Sequence, residues 1–234
     1  MENIANTYIV AGASSGIGLE LATLLIHHGF EVFGLSRTPG PLNGHKLYRH
    51  YSHDFLSDEP LPDITVKAAG LVYCPGSIML KPLARISKED VNKTITLNAT
   101  AALLFVQQYL ANIKNTKDPS ILLFSSVAVR TGMPFHTATA MAKGAVEGLT
   151  LAMAAELAPD VRVNAIAPSL TDTPLAAGLL NTEAKIQAAK ARHPMNTFGT
   201  SAEIAKVAFH MLTEYRWVTG QVYNINGGLG TIIK

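Results

Sequence analysis

Short runs rich in β-branched and aromatic residues alternate, along nearly the whole chain, with longer stretches whose apolar positions recur every three or four residues. The short runs predict strands at Tyr8–Ala11, Glu31–Ser36, Lys46–Tyr51, Gly70–Tyr73, Ile121–Phe124, Val161–Ala165 and Gln221–Ile225. The first long stretch predicts a helix from Gly16 to about His28, with Ile17, Leu21, Leu24, Leu25 and His28 on one face and Gly29 as its stop. Two longer helices are predicted over Asp90–Ile113 and Thr137–Leu157. Strands that alternate with helices belong to βαβ units, so the expected class is α/β, with a parallel sheet covered on both faces.

One interval breaks the alternation. Between the second and third strands the chain reads only RTPGPLNGH, whose two prolines and two glycines leave no room for a useful helix. Parallel strands usually need a helical crossover of a dozen residues or more. A shortened loop is predicted instead, with part of one sheet face thinly covered.

Composition narrows the picture. The 234 residues are 48% hydrophobic and 15% charged, enough for one sizeable core, and a single domain spanning 1–234 is expected. A formal charge of +2, with scattered lysines and arginines, leaves no basic footprint for nucleic acid or an anionic membrane. The single cysteine, Cys74, excludes an internal disulfide and a cysteine-built metal site. The histidines lack metal spacing. The start, MENIANTYIVAG, has an acid and no basic leader before its apolar run, and no stretch approaches 18 uninterrupted apolar residues. A soluble, cytoplasmic protein is expected, with no metal, no nucleic-acid partner and no membrane partner.

The strongest motif is VAGASSGIG, in which Gly12, Gly16 and Gly18 follow a strand and open a helix. Glycines so placed make a tight turn, let the backbone approach a pyrophosphate and let helix and strand pack closely, and the phosphates meet the positive end of the helix. The loop residues Ser14, Ser15 and Ile17 complete this candidate cofactor site. The second strand ends in Ser36 and Arg37 with no carboxylate. An acid there would bind a ribose 2′-hydroxyl, whereas Arg37 suits a 2′-phosphate, which favours NADP(H) over NAD(H).

With these residues the chain resembles the short-chain dehydrogenase/reductase family over essentially its whole length. Asp54 is similar to the family's adenine-side acid, and Gly76 in GLVYCPGSI stands where its NNAG segment ends. Asn98 in LNAT matches its active-site asparagine, and LLFSSVA supplies Ser125 and Ser126. RVNAIAPSLTDTPL resembles its PG-containing turn, with Pro168 retained, Ser169 where glycine is usual and Thr173 where a threonine contacts the nicotinamide carboxamide. The closing segments GTSAEIAKVAFHMLTE and WVTGQVYNINGG look like its last helix and strand, with Asn226 where aspartate is frequent. The resemblance implies a Rossmann-like doubly wound sheet of seven parallel strands and hydride transfer between a nicotinamide and a carbonyl or alcohol substrate.

It also implies roles. Lys143 matches the lysine that binds the nicotinamide ribose, Ser126 the serine that bonds the carbonyl oxygen, and Asn98 the asparagine of a water relay. The tyrosine that gives the proton falls at Thr139. An aliphatic alcohol is a far weaker acid than a phenol at about 10. His136 precedes Lys143 by seven residues, about two helical turns, and an imidazole near 6.5 suits general acid work. A branch of the family, the enoyl-acyl carrier reductases, carries its tyrosine seven residues before the lysine, although the rest of that branch's pattern is absent. His136 is equally placed to cap the helix.

Residues Leu170–Phe198 lie at the carboxyl edge of the sheet and include Leu175, Leu179, Leu180, Ile186 and Met195, consistent with a lid over a partly apolar pocket. The resemblance implies a homodimer or homotetramer joined through the two long helices. Three activities fit: an NADP(H)-dependent carbonyl/alcohol oxidoreductase acting on a small molecule with an atypical proton donor, an NADP(H)-binding sensor or subunit without turnover, and a reductase of activated C=C bonds.

Overall fold

The computed structural model describes residues 6–233; the first five residues, read above as part of a start without a basic leader, lie outside it, as does Lys234. Seven strands form one sheet: β1 (Thr7–Ala11), β2 (Glu31–Ser36), β3 (Tyr48–Ser52), β4 (Gly70–Tyr73), β5 (Ser120–Phe124), β6 (Arg162–Pro168) and, after a small two-stranded pair of β7 (Thr171–Asp172) and β8 (Gly199–Thr200), β9 (Val222–Ile225). Their order is β3-β2-β1-β4-β5-β6-β9, and every neighbouring pair is parallel. The order reverses at β1 and β4, which opens a crevice at their carboxyl ends.

The central strands are buried on both faces, so they read as continuous apolar runs rather than alternating ones. On one face α1 (Gly16–His27) and α6 (Ser201–Thr213) bury Leu21, Leu25, Ile204 and Ala208 against Val10 and Val72. On the other, α3 (Ala101–Ile113) and α4 (Thr137–Leu157) bury Phe105, Tyr109 and Val146 against Ile9, Leu71 and Leu123. The remaining helices are α2 (Lys88–Ile95) and α5 (Glu183–Arg192).

Three sequence expectations need correction. The helix predicted over Asp90–Ile113 begins earlier, at Lys88, because Ser87 and Asp90 form a reciprocal capping box. It is then interrupted by a π-helical turn over Thr96–Thr100, a local widening that apolar periodicity does not report. On α1 the buried face is Leu21, Ala22 and Leu25, whereas His28 is exposed and ends the helix, its Nδ1 donating to the Leu24 carbonyl at 2.9 Å.

The shortened crossover is present: turns alone join β2 to β3. The sheet face beneath it is filled from within. Tyr48, the first residue of β3, is buried and lays its ring and hydroxyl over Gly34 of β2, where any β-carbon would collide with them. Leu42 packs on the same cluster, and Gly40, at φ +70, sits so close to Ser14 that an added Cβ would stand 2.7 Å from the Ser14 carbonyl oxygen. The short loop therefore folds back onto the glycine turn.

Candidate active site

The turn after β1 needs its glycines. Gly12 and Gly16 have φ of +77 and +55, in the left-handed region that favours glycine. A Cβ on Gly18 would run into the Gly12 carbonyl, so α1 packs directly against its own entry turn. Ser15 precedes α1, yet its side chain caps none of the helix N–H groups, and the first turn contains no acidic residue. The amides at this positive end stand open to the crevice, which fits them to an anionic pyrophosphate.

That crevice is a single cleft of about 1030 Å³ running along the carboxyl edge of the sheet. At its β2 end Ser36 is buried and donates to the Thr38 carbonyl at 2.8 Å. Arg37 is exposed on the cleft wall and, among the described residues, has neither a hydrogen-bond nor an ion-pair partner. Asp54 also lines the wall, its Oδ1 accepting from the Leu56 N–H at 3.0 Å. A guanidinium without a carboxylate partner is a ready site for a phosphate.

The middle of the cleft is lined by Ser125 and Ser126 after β5 and by Thr139 and Lys143 of α4, whereas Asn98 of the π-helical turn is buried and does not line it. Lys143 is buried, and its ammonium donates to the Phe124 carbonyl at the end of β5 at 2.9 Å. Burial lowers its pKa to about 8, and burial pushes that of the Cys74 thiol up to about 12. Gly76 stands between Lys143 and Asn98: a Cβ there would lie 2.9 Å from Asn98 Oδ1 and 3.1 Å from Lys143 Nζ. Asn98 lies in the π-helical turn, whose displaced backbone brings its amide to Ser77, donating to Ser77 Oγ at 3.1 Å and to the Thr94 carbonyl at 2.8 Å. Ser126 lines the cleft, its hydroxyl accepting from the Ala128 N–H at 3.2 Å. Behind it Ser125 donates to Glu147 at 2.8 Å, and Arg130 pairs with the same carboxylate, so the end of β5 is pinned to α4.

Thr139 and His136 differ in what they leave free. The Thr139 hydroxyl is buried, accepts the Met79 N–H at 2.9 Å and gives its one proton to the Met79 carbonyl at 3.0 Å. His136 is the residue just before α4 and lines the cleft. Its Nδ1 is 2.7 Å from the Pro134 carbonyl, which only accepts, so Nδ1 carries hydrogen and Nε2 remains available.

A family model described as enoyl-(acyl carrier protein) reductase matches residues 58–230. The chain belongs to the short-chain dehydrogenase/reductase family. A tropinone reductase homologue of Arabidopsis thaliana is 34% identical over 161 residues, 68% of this chain but 62% of the relative, less than two thirds of its length. An inactive 2-(S)-hydroxypropyl-CoM dehydrogenase of Xanthobacter autotrophicus is 33% identical over 169 residues, 70% of this chain and 74% of that one. Among solved structures, the aldohexose dehydrogenase of Thermoplasma acidophilum, in ligand-free form, is 26% identical with a TM-score of 0.86, covering 98% of this chain and 96% of its own.

In this short-chain dehydrogenase/reductase the glycine turn, Ser14, Ser15, Ile17, Ser36, Arg37, Asp54, Gly76, Ser126, His136, Thr139, Lys143, Pro168 and Thr173 all line one cleft. Thr173 packs its methyl 3.4 Å from where a Cβ on Gly16 would be, so the segment after β6 crosses the glycine turn. Leu175 and Leu179 on the following 3-10 turn, with Ala188 on α5, extend the far wall. Sequence reasoning missed two side-chain pairings. One is Thr139 with Met79; the other is Ser169, whose hydroxyl donates to Nε2 of the buried His193 at 2.8 Å while Nδ1 donates to the Ala189 carbonyl at 2.7 Å. The departure from glycine at Ser169 was the one visible signal of the second pair.

Proposed function

We propose that this chain is an NADP(H)-dependent oxidoreductase interconverting a carbonyl and an alcohol on a small molecule. The observation that carries the reading is Lys143: a buried ammonium held by the Phe124 carbonyl, beside Gly76 and Asn98, in the same cleft as the uncapped end of α1. The open amides after Gly12 suit the pyrophosphate, and Arg37, without a carboxylate competitor at its strand end, suits a 2′-phosphate. When bound, the nicotinamide supplies or accepts the hydride. Lys143 then holds the cofactor ribose, Ser126 orients the carbonyl oxygen, and Asn98 keeps Gly76 and Ser77 in place beside them.

The proton comes in this reading from His136. Thr139 stands at the family's tyrosine position, and its only proton is committed to Met79. The Nε2 of His136 is uncommitted, and protonated imidazole is a far better acid near neutrality than any alcohol. NADPH oxidation measured against a panel of ketones, aldehydes, quinones and enones tests the proposal; NADPH binding without turnover on any of them would refute it. The second reading, an NADP(H)-binding homologue without turnover, is favoured by that same engagement of Thr139.

The supporting frame is a single domain over 1–234 and a homodimer or homotetramer in the cytoplasm. Leu103 and Leu104 of α3 and Met141 and Leu151 of α4 are 42–57% exposed, an apolar surface on the two helices that would meet a second copy. No helix among the described residues is long and apolar enough to cross a membrane.

A further inference from the structure

Residues Ser77–Lys81 run between β4 and the helices that follow, but they belong to no sheet. In extended chain the N–H and C=O of one residue point to the same edge, and that edge recurs every second residue. Here the edge is satisfied at three successive places. The Ser77 N–H donates to Asn98 Oδ1 at 3.3 Å, the Met79 N–H donates to Thr139 Oγ1 at 2.9 Å, and the Lys81 N–H donates to the Phe135 carbonyl at 3.1 Å. The Thr139 hydroxyl also returns a bond to the Met79 carbonyl at 3.0 Å, as the backbone of a neighbouring strand would. Phe135 offers its carbonyl from φ +67, a conformation costly for a bulky side chain and sustained only where the surroundings hold it.

The other flank is held as well. Met79 places its sulfur 3.8 Å from the Thr94 hydroxyl, and Lys81 pairs with Asp90 of α2. The side chains of the intervening residues, Ile78 and Leu80, line the cleft and are 37% and 40% exposed.

We propose that Thr139 is a positioning residue: with Asn98 and the Phe135 carbonyl it completes Ser77–Lys81 as a strand whose partner is made of two side chains and one backbone group, and this strap presents Ile78 and Leu80 as the apolar wall of the substrate side. The ligand class is a carbonyl compound with an apolar substituent beside the reacting carbon. That class rests on the oxidoreductase reading, whereas the anchoring of the strap does not.

Amide hydrogen exchange on the full chain without cofactor tests the anchor. The Met79 and Lys81 amides are expected to be protected although they lie outside the sheet. Thr139→Val, which keeps the shape and removes both bonds, should speed their exchange about tenfold or more, with the Leu122 and Val163 amides of the central strands unchanged. Thr139→Ser should restore protection. Equal exchange in the Val and Ser variants would overturn the anchor; if Thr139→Val does not fold, Met79 exchanging at the free-peptide rate in the unmodified protein would do so alone.

The wall has its own test, which needs no turnover. Binding of 4-phenylbutan-2-one to the protein saturated with NADP is followed by ligand-observed NMR. Ile78→Ser and Leu80→Ser should each weaken it at least threefold while the NADP affinity stays within twofold. No binding by the unmodified protein, or binding indifferent to both substitutions, would overturn the apolar wall and leave the anchor result standing.

Discussion

Gly76 and Lys143 approach so closely that a β-carbon on residue 76 would stand 3.1 Å from the lysine ammonium, with Asn98 Oδ1 at 2.9 Å on its other side. A methyl group there must displace one of two side chains that both hold buried hydrogen bonds. Gly76→Ala is expected to lower NADPH turnover by at least tenfold while the melting temperature falls only slightly. Steady-state kinetics beside thermal unfolding checks this, and unchanged kinetics would show that Lys143 has room to move.

The lowered pKa of Lys143 has a definite sign. Burial disfavours its charged form, so the ammonium is present below about 8 and lost above it. A reaction that uses the ammonium should therefore slow as pH rises through about 8. Its contribution to stability runs the other way: between about 8 and the ordinary lysine value of 10.5 this side chain is protonated in the unfolded chain and neutral in the folded one, so the Lys143 share of the unfolding free energy rises with pH across that window. Because Cys74 and the buried tyrosines, whose pKa values burial raises, pull stability the opposite way in the same window, urea titrations at its two ends should show the Lys143 contribution as a change that is more positive in the unmodified protein than in Lys143→Met.

At the β2 end of the cleft, Arg37→Glu replaces a cation that has no partner among the described residues by an anion facing the same space. Affinity for NADPH should drop by about tenfold or more, and affinity for NADH should hold or improve. Parallel fluorescence titrations of the two nucleotides decide it; equal losses would remove the phosphate contact.

If the imidazolium of His136 gives the proton through Nε2, as proposed, His136→Ala should cut turnover by about 10²-fold or more. Cofactor affinity should be unaffected, because the glycine turn and Arg37 lie elsewhere along the cleft. An unchanged rate and pH profile would take His136 out of the chemistry.

Local patterns made much of this molecule legible. The bounds of β2 at Glu31–Ser36 and of α4 at Thr137–Leu157 coincide with expectation, because glycine and proline punctuate both sharply. The break at Thr96–Thr100 was hidden, since a π-helical turn preserves an apolar stripe while shifting its phase. β6 runs on to Pro168 beyond its expected end, its ladder continuing through Ile166 and Ala167 to the β9 pairing. Of the cleft residues, the glycine turn, Ser36 and Arg37 were legible from short motifs, and Asp54, Gly76, Ser126, Lys143, Pro168 and Thr173 from the family resemblance, whereas Ile78 and Leu80 carried no signal. The pairings of Thr139 with Met79 and of Ser169 with His193 were not legible, because partners 60 and 24 residues apart meet only through the tertiary fold.

Tyr48 over Gly34 bears on how this chain tolerates changes in length. One aromatic ring does the covering work that an entire crossover helix would do, and the loop it frees rests directly on Ser14. An insertion between Thr38 and Lys46 would have nowhere to dock until that ring was evicted. Lengthening here is thus a two-step change, in which residue 48 must shrink before a helix can be accommodated.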